Sequence, residues 1–415
     1  MYIVVSSAHN WSVVWDKFIK GHYSFSKLRM SHTLSHGLFI LALFMCASVT
    51  SHAAASPTQK QEIIAYIFPK DRTIAPGEVS AEKLTRINYA FADLQNGKIV
   101  EGFPHDAENF AALNALKHAN PSLTVLVSVG GWTWSGNFSD MALTRQRRKI
   151  FIESTVQFIE KYKLDGLDVD WEYPGMTGDN HRFRPEDKQN YTLLLKELRA
   201  RFNHEEKKLH RHLVTSIATG ASTEFLEYTK MSKVQKYVDT VNLMSYDYYV
   251  PSWDKTTGHH APLFTNPVDP KKISADRTIH EYESAGVPAK KLVLGVPFYG
   301  KSWTQVPDQN HGLFQPGKEA PDTYRPYSSL TSLQSSGYIR YWDAQASAPT
   351  LYNPDTQTFI SYEDPESLKK KCEYVVDHKL AGIMFWEYSG DSANALLDSI
   401  DTGLQHHPAT ATESK

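Results

Sequence analysis

The sequence predicts an α/β fold: a closed (β/α)8 barrel of the TIM type, with a small α+β insertion between its seventh and eighth strands. Three observations carry this. Eight short runs rich in Val, Ile, Leu and aromatics alternate with longer amphipathic stretches, as parallel strands covered by helices should. No G-x-G-x-x-G or G-x-x-x-x-G-K follows the first run, and doubly wound nucleotide-binding sheets rarely carry so many strands. Finally, Asp165-Gly166-Leu167-Asp168-Val169-Asp170-Trp171-Glu172 alternates acids with apolar residues. In a strand, Asp168, Asp170 and Glu172 then share one face, and Leu167, Val169 and Trp171 the other. Acids inside and apolar residues outside describe a barrel strand that ends in a polar mouth.

The elements follow in chain order. Residues 1–55 read as an export segment. Leu38 to Ala47 is an apolar stretch of about ten residues, too short for a comfortable membrane span. Lys17, Lys20, Lys27 and Arg29 precede it, and Ala53-Ala54-Ala55 offers a small-residue cleavage site. The expected location is secreted or periplasmic, with no stable membrane insertion once the signal is removed. The barrel is expected over 56–302 and 363–405. Its strands are expected at Ile63–Phe68, Ile87–Asp93, Thr124–Gly131, Asp165–Glu172, Leu213–Thr219, Thr240–Asp247, Leu292–Tyr299 and Ala381–Tyr388. The clearest helical patterns lie at Asp106–His118, Met141–Tyr162, Pro185–Phe202 and Pro270–Ala285, with Pro185, Glu186 and Asp187 marking a helix start. Residues 303–362 break the rhythm. They are aromatic and turn-rich, as in Tyr338-Ile339-Arg340-Tyr341-Trp342. A structureless loop of that length is suspect, so the segment reads as a β-rich insertion at the barrel's mouth. Residues 406–415 form a polar tail.

The chain has 415 residues, a net charge of −2 and 12% aromatics. The absence of a basic excess argues against nucleic acid as a partner. Of the two cysteines, Cys46 and Cys372, the first lies in the export segment, so no intramolecular disulfide is expected in the mature chain. His204, His210 and His212 lie in a lysine-rich helical stretch and read as a solvated face, not a metal site. No cofactor is implied, and a monomer is expected.

Active sites of such barrels sit at the C-terminal ends of the strands. Those ends carry Tyr66, then Ser128-Val129-Gly130-Gly131-Trp132, then Asp168, Asp170 and Glu172. Beyond them come Met244-Ser245-Tyr246-Asp247, Pro297-Phe298-Tyr299-Gly300 and Phe385-Trp386-Glu387-Tyr388. Acids, tyrosines and tryptophans in one pocket suit a sugar, whose ring faces stack on aromatics while its hydroxyls and amides need hydrogen-bond partners. Asp165 has the wrong parity for the pocket and reads as a strand-start residue. Gly130 and Gly131 are open to a plain tight-turn role, and Tyr299 is as consistent with packing as with binding. Trp132, Trp134, Trp303 and Trp342 are candidate sugar platforms or ordinary core.

Asp165-x-x-Asp168-x-Asp170-x-Glu172, Ser128-x-Gly130-Gly131, Met244-x-Tyr246-Asp247 and the late Trp386 together resemble the glycoside hydrolase family 18 chitinases, over roughly Ile63 to Gly390. The insertion resembles the one that deepens the cleft in the family's bacterial-type subgroup. The resemblance implies a substrate-assisted mechanism acting on chitin or N-acetylglucosamine oligosaccharides. Glu172 would protonate the glycosidic oxygen, and the substrate's own 2-acetamido oxygen would be the nucleophile. Asp170 would orient that acetamido group, Asp168 would share proton or charge with Asp170, and Tyr246 would hold the acetamido oxygen. Trp386 would form the floor, with Asp247, Tyr66, Ser128, Met244, Trp132 and Tyr299 completing the substrate pocket. Two close carboxylates resist ionising together, which would help keep Glu172 protonated. Two departures stand out. Lys301 replaces the arginine common after the Tyr-Gly of strand seven, and Ala65-Tyr66-Ile67 stands where Gly-Tyr-Tyr is usual, leaving one aromatic wall missing. Competing readings are an endo-β-N-acetylglucosaminidase, a peptidoglycan-directed hydrolase of the same family, and a catalytically silent chitin-binding lectin.

Overall fold

Eight parallel strands close on themselves. The computed structural model describes residues 61–405, so the export segment and the tail lie outside the described residues. The strands are β1 (Glu62–Ile67), β2 (Arg86–Gln95), β4 (Thr124–Gly130), β5 (Gly166–Asp170), β6 (Val214–Gly220), β7 (Thr240–Met244), β8 (Leu292–Pro297) and β14 (Gly382–Trp386). They pair in the order β1-β14-β8-β7-β6-β5-β4-β2, and a β1–β2 pairing completes the barrel. A short strand, β3 (Lys98–Val100), adds antiparallel to β2. All eight expected runs become barrel strands, in the expected order.

The pleat sorts side chains as the alternation requires. Leu167, Val169 and Trp171 join the large apolar layer between barrel and helices, where Trp171 stacks on Phe138 at 5.3 Å. Ile64, Tyr66, Val293 and Met384 fill the barrel instead. Asp165, at the foot of β5, accepts a hydrogen bond from the Val125 amide and pairs with Lys117 and Arg211. That fits the strand-start role its parity suggested.

Capping chemistry moves several helix ends. The expected Met141–Tyr162 helix is two, Phe138–Ala142 and Arg145–Tyr162, because Thr144 caps the second by accepting from the Arg147 amide. The helix begun at Asp187 continues to Leu209 and stops where His210 turns left-handed. The Pro270–Ala285 helix starts only at Ala275, where the Ser274 hydroxyl caps it. Pro365–Asp377, begun by a capping box at Asp364, and Ala395–Gln405 flank the last barrel strand.

The remaining strands, β9 (Tyr299–Thr304), β10 (Lys318–Pro326), β11 (Ile339–Asp343), β12 (Ala348–Asn353) and β13 (Thr358–Ser361), form an antiparallel sheet in the order β10-β9-β13-β12-β11. A helical turn, Tyr327–Leu330, follows β10. The sheet starts at Tyr299, one residue past Phe298. The Phe298 amide donates to the Trp386 carbonyl, and its own carbonyl accepts from the Tyr327 amide. Phe298 therefore ties the eighth strand to the insertion, and β9 leaves the barrel there. Trp303, fully buried, packs with Tyr249, Val306, Tyr352 and Phe359 as this sheet's own core.

Candidate active site

The register of the barrel builds the site layer by layer. Ser128, Asp168 and Ser216 are aligned across β4, β5 and β6. The Asp168 carboxylate receives Ser128 Oγ at 2.8 Å, Tyr66 Oη at 2.9 Å, Ser216 Oγ at 2.5 Å and Asn242 Nδ2 at 3.3 Å. Burial pushes its carboxyl up, and Ser216, Ser128 and Tyr66, together with the Arg86 charge, pull back towards the ionised form. Asp170 sits one repeat nearer the mouth. Its Oδ1 is buried without a hydrogen-bond partner. Burial first, then the nearby Glu172 and Asp168 carboxylates, push its carboxyl well above the usual range.

Regular β5 ends at Asp170, so Glu172 lies just beyond the ladder. Its position is set instead by Ser135, whose hydroxyl accepts from the Glu172 amide at 2.8 Å and reaches the Asp170 carbonyl at 3.1 Å. Burial raises the Glu172 carboxyl to about 7, with the Asp247 charge adding and a Tyr173 hydrogen bond opposing. The lever expected from sequence, repulsion by the aspartate pair, is thus replaced at Glu172 by removal from water, with Asp247 as the repelling charge; repulsion within the acidic stack raises Asp170, after burial. Gly130 and Gly131 are more than a turn. Both have positive φ, and a Cβ at Gly130 would lie 2.3 Å from the Asp170 carbonyl oxygen. Only glycine lets β4 end this close to the acids.

Opposite the acids, Tyr246 lines the cleft, its phenol pushed well up by burial and then by Asp170, Asp247 and Glu172. It therefore remains a hydrogen-bond donor. Asp247, in left-handed backbone at φ 57°, receives Tyr299 Oη at 2.7 Å, with Lys301 Nζ at 3.2 Å and His260 Nδ1 at 3.4 Å. Burial raises it, but His260, Lys301 and Tyr299 outweigh that and hold it below the usual range. Lys301, where an arginine was expected, is thus paired with Asp247. Tyr299 both lines the cleft and stacks on Tyr324 of β10 at 4.4 Å.

The cleft over these groups has a volume of about 1410 Å³. Trp386 stands at its floor against Tyr66, Phe68 and Phe91, with ring centroids 5.9, 5.6 and 5.5 Å away. Phe68 supplies the aromatic wall that Ile67 does not, because Ile67 points into the outer apolar layer. Trp134 and Phe103 continue that wall, 5.0 Å apart. Trp132, which also lines the cleft, packs on Trp253 at 5.7 Å, and Trp253 is 66% exposed. Met244 also lines the cleft. The structure thus brings Glu172, Asp170, Tyr246, Trp386, Asp247, Tyr66, Met244, Trp132 and Tyr299 to one cleft, with Asp168 and Ser128 directly beneath. Trp303 and Trp342 are not sugar platforms. The first is core of the second sheet, and the second lies on β11 under the Arg340 guanidinium.

Ser135, Ser216, Asn242, His260 and Trp253 went unread in the sequence. Ser216 and Asn242 carried a usable signal, polar residues on the inward parity of apolar strands. Ser135 opens a one-turn 3-10 helix and the other two sit on loops, where no periodicity applies. Among the described residues no group of three or more His, Cys, Asp or Glu could hold a metal ion, and His212 pairs with Glu206 and Asp239.

Comparison with known proteins bears on this geometry. The family model described as glycosyl hydrolases family 18 matches residues 57–391. Chitinase A1 of Niallia circulans is 34% identical over 88% of this chain, which spans 61% of that protein's length. A family 18 N-acetylglucosaminidase structure from Paenibacillus barengoltzii matches with a TM-score of 0.76 and 39% identity, covering 83% of this chain and 99% of that one. Chitinase ChiA74 from Bacillus thuringiensis matches with a TM-score of 0.79 and 34% identity, covering 86% of this chain and 71% of that one. With the acidic stack, the Tyr246-Asp247 corner and Trp386 all converging on one cleft, the chain belongs to glycosyl hydrolases family 18 and is a glycoside hydrolase.

Proposed function

We propose that this protein is a chitinase that hydrolyses β-1,4-N-acetylglucosaminide bonds with retention, the substrate's 2-acetamido group acting as nucleophile. The observation that carries the proposal is the pairing of a buried Glu172, its carboxyl raised to about 7, with a buried, partner-poor Asp170 beneath an aromatic-lined cleft. Glu172 gives its proton to the glycosidic oxygen as the bond breaks. The acetamido oxygen closes on the anomeric carbon, giving a cyclic oxazolinium-type intermediate. Asp170 takes the acetamido N–H and offsets the positive charge as that charge develops, with Asp168 holding the compensating negative charge below. Tyr246 donates to the acetamido oxygen and fixes its line of attack. Glu172, now a carboxylate, draws a proton from the water that opens the ring, which regenerates the acid. Trp386 lies under the reacting sugar as an apolar face. Asp247, kept ionised by Lys301, His260 and Tyr299, contacts the sugar near the cleavage point.

The export segment expected at residues 1–55 supports a secreted or periplasmic enzyme acting on polymer or oligomer outside the cytoplasm. Among the described residues no helix is long and apolar enough to cross a membrane. The test is a product time course on defined N-acetylglucosamine oligomers beside peptidoglycan and high-mannose N-glycans. The expected result is release of short N-acetylglucosamine oligomers from the first substrate alone. Preferential cleavage of either other glycan would move the assignment within the family. Tight oligomer binding without hydrolysis by folded protein would make it a lectin.

A further inference from the structure

Asp168 is reached from below by an unbroken chain of hydrogen bonds that starts at the barrel floor. Arg86 opens β2 and Glu62 opens β1, and the two form an ion pair there. The Arg86 side chain is only 4% exposed. Its Nη1 donates to Thr240 Oγ1 at 2.9 Å. Thr240 Oγ1 donates to Asn242 Oδ1 at 3.1 Å. Asn242 Nδ2 then donates to Asp168 Oδ1 at 3.3 Å and to Tyr66 Oη at 3.1 Å. The groups facing Asp168 are thus Tyr66 from β1, Ser128 from β4, Ser216 from β6 and Asn242 from β7, with Asp170 on its own strand and the Arg86 charge beneath.

The direction of this chain is set by its first member. A guanidinium has donors and no acceptor. Arg86 therefore occupies a lone pair of the Thr240 hydroxyl and turns that hydroxyl's one hydrogen onward, to Asn242 Oδ1. With its oxygen engaged, the Asn242 carboxamide has only its NH2 edge to offer Asp168. Rotated by half a turn, the same amide would put an oxygen against the carboxylate, replacing an attraction by a repulsion in a site that water does not reach.

We propose that Arg86 and Thr240 are positioning residues that fix the polarity of the Asn242 amide and so hold Asp168 as the anionic base of the acidic stack. This rests on the reading above, in which the Asp168–Asp170 pair must carry negative charge when the cationic intermediate forms. Neither residue touches the cleft; Thr240 acts through Asn242, and Arg86 acts through it as well as through its own charge. Losing a donor to the carboxylate form disfavours that form, so the site then ionises only at higher pH.

The test is carboxyl-13C titration of aspartate-labelled, ligand-free protein, alongside the pH profile of kcat/KM on soluble N-acetylglucosamine oligomers. Arg86→Gln and Thr240→Val are expected to raise the Asp168 midpoint by about half a unit or more and to move the acidic limb of the profile the same way. Arg86→Lys and Thr240→Ser, which keep a donor-only head group and a hydroxyl respectively, should restore both. Thr240→Val keeps the Arg86 charge, so it decides the matter even where Arg86→Gln does not fold. An unmoved Asp168 midpoint in folded Thr240→Val overturns the proposal, as would a uniform loss of rate with no shift of the limb. Because the titration uses no substrate, it stands apart from a failure to hydrolyse the oligomers, which would count against the proposed function alone.

Discussion

Replacing Glu172 by Gln is expected to lower kcat by about three orders of magnitude, with the dissociation constant for N-acetylglucosamine oligomers changed by no more than a few-fold. The substitution keeps shape and hydrogen-bonding capacity and removes only the transferable proton. The cleft walls, Trp386, Tyr246 and Trp132 among them, do not depend on that proton. The wild-type pH profile should show the same group. Glu172 must be protonated to act as an acid, so kcat/KM should fall as pH rises through about 7. The residual rate of Glu172→Gln should lack that basic limb. Steady-state kinetics across pH and calorimetric binding on one preparation suffice. Near-normal turnover in the variant would remove Glu172 from the acid role.

Asp170→Asn is expected to lower kcat by about two orders of magnitude with little change in KM. An amide occupies the same space but cannot carry negative charge as the oxazolinium forms. The same change should make the protein more stable at alkaline pH. Burial, then Glu172 and Asp168, raise the Asp170 carboxyl far above its unfolded value. A group raised on folding contributes fully below its unfolded value, and the contribution is lost as pH rises through the folded one. The amide does not titrate, so the variant has no such loss. Its melting temperature should therefore exceed wild type at pH 8 by more than at pH 4. Equal displacement at both values would show that Asp170 is not a strained, buried acid.

The barrel was legible because its strands are short, largely apolar runs separated by amphipathic stretches, and because their number and order leave few topologies. The acidic stack was legible for the related reason that period two puts Asp168 and Asp170 on one face. Glu172 reaches the same cleft although it lies past the last ladder residue. The true constraint on it is Ser135, 37 residues upstream in a one-turn 3-10 helix and without any periodic signature. The role of Phe68 was hidden by the residue before it. Strand parity assigns Ile67 outward, and the chain leaves the strand there, so alternation no longer says where Phe68 points. Trp303 was ambiguous for the opposite reason. As an aromatic next to a cleft-lining strand it suited a sugar platform, yet the insertion needs a core of its own, and Trp303 with Phe359 and Tyr352 provides it. The interlocked partners of Asp247, from the loop at His260 and from β9 at Tyr299 and Lys301, join distant segments that no local pattern could pair.

The most direct measurement compares two aryl glycosides of N-acetylglucosamine oligomers, identical except that one carries a hydroxyl in place of the 2-acetamido group on the sugar whose bond is cut. With an acetamido nucleophile, the hydroxyl substrate should bind and remain essentially uncleaved. Cleavage of both at similar rates would mean that a carboxylate of the protein or a water molecule attacks instead.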